Sequence, residues 1–110
     1  MTKKAILIDP ETSTVTVVEI EDYKDILKHI GCDVFTSGCS FNRDTIFVDD
    51  EGLLKLKEGN KGFSIDCYHG PFAGRGLVCG HDSEGESVNC ESNVVEVAAA
   101  LEFLTFMATV

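Results

Sequence analysis

The chain has 110 residues, enough for one domain that buries roughly two-thirds of the surface its unfolded form exposes, so it needs neither metal nor disulfide to hold a core. Nine Lys and Arg stand against nineteen Asp and Glu, a formal charge of −10, which disfavours direct binding to nucleic acid or anionic lipid and favours solubility or a basic partner. Five cysteines at wide, irregular spacing, after a start at residues 1–9 too poor in apolar residues for a signal peptide, predict free and mostly buried thiols in a reducing, cytoplasmic setting.

Residues 4–8 and 14–20 are aliphatic and β-branched and flank Asp9-Pro10-Glu11-Thr12-Ser13, which predicts an opening hairpin. Tyr23, Ile26, Leu27 and Ile30 then fall at i, i+3, i+4 and i+7 on one helical face, with Asp22 as N-cap and Gly31 as the stop. Residues 33–41 and 45–48 around Asn42-Arg43-Asp44 read as a second hairpin ending at Asp49-Asp50-Glu51-Gly52, and residues 55–61 as an exposed charged connection. Strands are expected at residues 62–68 and 77–79, on either side of a glycine-rich turn and before the polar loop 81–86. From Asn93 to about Met107 the pattern is helical, opened by a capping-box pair, Asn93 and Glu96. Glu96 and Glu102 interrupt this stretch, which excludes a membrane span.

These elements describe one α+β domain over residues 1–110: a mainly antiparallel sheet, an amphipathic helix after the first hairpin, and a long apolar C-terminal helix. That last helix carries Val94, Val95, Val97, Ala98, Leu101, Phe103, Leu104, Phe106 and Met107 nearly all the way round. It predicts an exposed apolar patch and a twofold homodimer through residues 94–107.

The candidate ligand site is the run 70–80, Gly-Pro-Phe-Ala-Gly-Arg-Gly-Leu-Val-Cys-Gly. Glycines let backbone N–H groups approach a ligand, and Arg75 is a forked donor suited to phosphate or carboxylate. Gly70, Phe72, Gly74, Arg75 and Gly76, with Tyr68 as a stacking ring, form the predicted binding set. The alternative is an ordinary tight turn with Arg75 in solvent. The run completes neither a Walker nor a dinucleotide fingerprint.

Cys67-Tyr68-His69 and Cys79-Gly80-His81 repeat a Cys-x-His spacing, so Cys67, His69, Cys79 and His81 are a possible zinc set, a weaker signal than paired Cys-x-x-Cys knuckles. A Cys/His nucleophile pair would need a base in reach and an orienting third group, which no motif supplies. The acidic words at 49–51 and 82–86 lack EF-hand spacing and read as solvated turns. No cofactor is expected.

The words Tyr23-Lys24-Asp25-Ile26, Ile30-Gly31-Cys32-Asp33, residues 48–54 (Val-Asp-Asp-Glu-Gly-Leu-Leu) and residues 71–78 (Pro-Phe-Ala-Gly-Arg-Gly-Leu-Val), taken in order, resemble a family of short phage, plasmid and Gram-positive bacterial proteins of the DUF3846 type, a domain of unknown function. The resemblance implies a mobile-element accessory protein and brings no catalytic residues with it. The expected role is non-enzymatic: sequestering a small phosphorylated, nucleotide-derived host defence signal at the 70–80 turn. The alternatives are an acidic DNA mimic or protein-interaction inhibitor that meets a basic host nucleic-acid enzyme, and a zinc-binding interaction domain.

Overall fold

The structure is a computed structural model that describes residues 2–52 and 59–106. Lys3–Asp9 (β1) and Thr14–Ile20 (β2) pair antiparallel, Lys3 opposite Ile20 and Asp9 opposite Thr14. The helix that follows, Tyr23–Ile30 (α1), starts in a capping box. The Asp22 carboxylate accepts from the Lys24 N–H at 2.9 Å, and the Asp25 carboxylate reaches back to the Glu21 N–H at 2.7 Å. The N–H groups of Glu21 and then Asp22, both donating to it, hold the Asp25 carboxyl below its ordinary range. Gly31 caps the other end, and Ile26 and Ile30 are the residues that the helix buries.

Phe35–Phe41 (β3) and Asp44–Asp49 (β4) make the second hairpin, with a register shift between Ser37 and Cys39 that leaves Gly38 as a bulge. Lys61–Ile65 (β5) and Phe72–Ala73 (β6) pair with one another, and Gly76–His81 (β7) returns to the centre of the first sheet, where Ser87–Val88 (β8) joins its end. The expected connection at 55–61 lies outside the described residues as far as residue 58, and Lys61 already belongs to β5.

The described residues form two antiparallel sheets, one ordered β2-β1-β7-β4-β3 with β8 attached to β7, the other β6-β5 with a third strand described below. β7 is buried from Gly76 to Gly80 because both its faces are covered. Leu77 and Cys79 pack with Ala5, Ile20, Ile26 and Ile30 under α1. Val78 packs with Ile6, Ile8, Ile46 and Val48 against Phe63, Ile65 and Phe72 of the small sheet. Gly76 is glycine because the Phe63 ring crosses it: a Cβ there would lie 2.6 Å from Phe63 Cζ.

The long C-terminal helix is not present. The Asn93–Glu96 capping box forms, with Glu96 N–H donating to Asn93 Oδ1 at 2.8 Å, but the helix it opens runs only over Val94–Ala100 (α2). Leu101–Thr105 is a strand (β9) that pairs with β5, Leu101 opposite Ile65 and Phe103 opposite Phe63. An apolar run satisfies a period of 2 as readily as 3.6. The open edge of β5 offers partners to the backbone groups of β9 that face it, and this pairing favours the strand. Val97, Leu101 and Phe103 turn into the core between the sheets, and Phe106 lies against Gly62 on the outer side. The premise for dimerisation through residues 94–107, an all-round apolar helix, is therefore replaced by a short helix and an edge strand; Met107 lies outside the described residues. No described helix is long and apolar enough to cross a membrane.

Candidate functional site

The glycine turn does not gather its predicted residues around one ligand. Gly74 takes φ 81° and its N–H donates to the Lys61 carbonyl at 2.9 Å, a tight turn that favours glycine. β7 then enters the large sheet with Gly76 opposite Ile8, which places the preceding Arg75 across from Asp9. Arg75 Nε sits 3.4 Å from Asp9 Oδ1, with the arginine side chain 40% and the aspartate side chain 15% exposed. Its Nη1 approaches Gly31 at the end of α1. The guanidinium, partly open to solvent, thus carries a carboxylate partner on the helix side of the large sheet. Gly76 is covered by Phe63.

The zinc quartet is also dispersed. Cys67 forms a disulfide with Cys39, with Cα atoms 6.1 Å apart, which corrects the expectation that the cysteines are all free. Cys79 lies in the core beneath α1, where burial, and then the neighbouring Cys90 and Asp44, push its thiol up to about 12. His69 and His81 are exposed and line separate clefts. Among the described residues no group of three or more His, Cys, Asp or Glu side chains is placed to hold a metal ion.

What the fold does bring together is a ridge built on Tyr68. Gly38 in the β3 bulge leaves room for the Phe72 ring, whose Cζ lies 2.8 Å from where a Cβ would stand. Phe72 leans on Phe63, centroids 5.4 Å apart, and Tyr68 stacks on Phe72 at 4.6 Å and 24° while remaining 48% exposed. An aromatic ring fixed from beneath and open above is a rigid contact surface. Gly70 belongs to this side too, its Cβ position 3.7 Å from Tyr68 Cε2.

Two clefts flank the ring. One, of about 410 Å³, is lined by Ser64, Asp66, His69, Glu102 and the small side chains of Ala99 and Ala100 beside Tyr68. The other, of about 190 Å³, is lined by Thr36, Val48, Asp49, Asp50, Phe72 and Ala73. Among the described residues the acidic side chains lining these clefts are Asp66 and Glu102 on one side and Asp49 and Asp50 on the other, and neither cleft has a Lys or Arg in its wall. Tyr68 and Phe72 were legible as candidates; Asp66 and Glu102 were not, because β9 brings Glu102 opposite Ser64 only after the C-terminal segment pairs with β5.

A third cleft, of about 540 Å³, lies at the other end of the large sheet between Ser40, Arg43, Asp44, His81, Asp82, Ser83 and Glu91. Its buried carboxylate, Asp44, is already satisfied by the N–H groups of Glu91 (2.9 Å) and Ser92 (2.8 Å), so it serves to pin the entry to α2.

No curated protein and no solved structure matches this chain. A family does: the chain belongs to the DUF3846 family, a domain of unknown function, which matches it over residues 1–101.

Proposed function

We propose that this protein is a non-enzymatic binding module that engages a basic protein surface at the Tyr68 ridge. The observation that carries this is the exposed, stacked Tyr68 between two clefts whose charged walls are carboxylates, Asp66 and Glu102 on one side and Asp49 and Asp50 on the other. A Lys or Arg side chain laid over the ring gains cation–π attraction and meets a carboxylate beyond its edge. The net charge of −10 adds long-range attraction for the same kind of partner. In the mobile-element setting that the family resemblance implies, the partner class is a host nucleic-acid enzyme, whose substrate groove is basic.

Capture of a phosphorylated small molecule has weaker support. Arg75 is paired with Asp9 and sits on the opposite side of the large sheet from Phe72, and a phosphate next to Tyr68 would face carboxylates. The test is calorimetric titration with an arginine-rich peptide at low and high salt. Tyr68→Ala and Glu102→Gln are expected to weaken binding by about 1 kcal/mol each, and Glu84→Gln, on the distant 81–86 loop, to change it little. Equal losses from all three, or none from Tyr68→Ala, would show that only net charge is being read.

A further inference from the structure

Among the described residues, the segment that presents Tyr68 is tied down at the following points. Entering it, the Asp66 N–H donates to the Ala100 carbonyl and the Tyr68 N–H to the Ile65 carbonyl, each at 3.1 Å. Leaving it, pairing resumes at Phe72 in β6. Between them the covalent tie is the Cys39–Cys67 disulfide, which joins the residue before Tyr68 to the strand whose bulge receives Phe72. One bond therefore ties the loop after β5 to β3 of the large sheet at the foot of the ridge, and both of its cysteines pack against the core between the sheets.

We propose that this disulfide is a redox clamp on the Tyr68 face: oxidised, it holds segment 66–71 in the presenting conformation; reduced, it lets that segment move and weakens capture of a basic partner. The inference rests on the Tyr68 ridge being the binding surface. The reductant is a dithiol. One of its thiolates attacks a sulfur of the Cys39–Cys67 bond, forming a mixed disulfide and releasing the other cysteine as a thiolate that takes up a proton. The reductant's second thiol then displaces the bound cysteine, so that two electrons pass to the protein and a disulfide remains on the reductant. Cys32, Cys79 and Cys90 are not part of the disulfide and stand outside the exchange.

The test compares air-oxidised protein with protein treated with dithiothreitol, and with Cys39→Ser and Cys67→Ser as separate variants whose fold is checked by circular dichroism. Differential alkylation with peptide mass spectrometry is expected to find Cys39 and Cys67 blocked before reduction and modified after it. Amide hydrogen exchange of residues 66–71, read with no partner present, is expected to run about tenfold faster after reduction, with β1 and β7 unchanged. Affinity for an arginine-rich peptide is expected to fall several-fold on reduction and to be insensitive to dithiothreitol in both serine variants.

Free Cys39 and Cys67 in the oxidised sample, or identical exchange in the two states, would overturn the clamp. Faster exchange with unchanged peptide affinity would overturn its gating role, while Tyr68→Ala reports separately on whether the ridge binds the peptide at all.

Discussion

Arg75 and Tyr68 are seven positions apart in the chain, and the turn between them was expected to bring both to one ligand. The fold instead sends them to opposite sides of the large sheet. Arg75 follows the register of β7 against β1 to Asp9, beside the end of α1. Tyr68 stacks on Phe72, which belongs to the core between the sheets. A glycine-rich turn with a cation in it has the composition of an anion site, yet its glycines answer to packing: Gly74 makes the turn and Gly76 passes under Phe63. The lesson is that a charged side chain advertises a ligand only after its structural partners are known, whereas an exposed aromatic with a buried ring beneath it is already committed to presenting one face.

The strongest way to break this contrast is to remove the support beneath Tyr68. Phe72→Ala deletes a buried ring, only 8% exposed, that touches both Phe63 and Tyr68. It is expected to destabilise the fold by about 3 to 4 kcal/mol, measured by urea unfolding. Phe72→Leu, which keeps most of the volume, should retain the fold and still lose the stacking. If Phe72→Leu leaves arginine-rich peptide binding intact, the ring beneath Tyr68 is not what presents it.

Much of the fold was legible because local signals and tertiary pairing agree. Asp22 and Gly31 bracket α1 as their capping chemistry requires, and the hairpins of residues 3–20 and 35–49 follow turns rich in Asp, Pro, Asn and Ser. The C-terminal segment was misread where they compete: Val97, Leu101 and Phe103 suit either period, and the choice was made by the edge of β5, some forty residues earlier in the chain. The Cys39–Cys67 pairing is non-local in the same way, its partners 28 positions apart with no spacing rule to announce it. Asp66 and Glu102 were invisible as a pair for that reason, and Asp9 as the partner of Arg75 depended on a strand register that no motif encodes.

On the helix side, the contrast can be sharpened through Cys79. Its thiol, pushed up to about 12 by burial, stays protonated in the folded chain where the unfolded chain ionises near 9. Below pH 9 both states carry the proton and the group contributes no pH dependence. Above it the unfolded state binds fewer protons, so stability falls as pH rises towards 12, by up to about 1.4 kcal/mol per pH unit from this group. Cys79→Ala should flatten that part of the profile relative to the unmodified chain, and Cys79 should resist iodoacetamide at pH 8 in the folded state. Rapid alkylation there would show that the space beneath α1 is open to solvent.

A smaller effect is expected at the turn itself. Gly74→Ala places a Cβ at φ 81°, where it meets no neighbouring atom within 4 Å, so the penalty is the backbone conformation alone, about 1 kcal/mol. Binding at Tyr68 should be unchanged. A larger loss would mean that the turn is held more tightly than its surroundings require.

Arg75→Ala should be the mildest change on stability and the most informative about function. Its ion pair with Asp9 is partly exposed at 3.4 Å, and such pairs contribute less than about 1 kcal/mol. Asp9 also keeps another contact when the guanidinium is removed, since its Oδ1 accepts the Glu11 N–H at 3.0 Å. Removing a cation from a chain of charge −10 deepens its negative field, so association with an arginine-rich peptide should be slightly faster at low salt and indistinguishable at high salt. An anion-capturing turn makes the opposite demand. If Arg75→Ala instead abolished binding of a nucleotide that the unmodified protein holds, the guanidinium would have to leave Asp9 for the ligand, and the Tyr68 ridge would lose its place as the binding face.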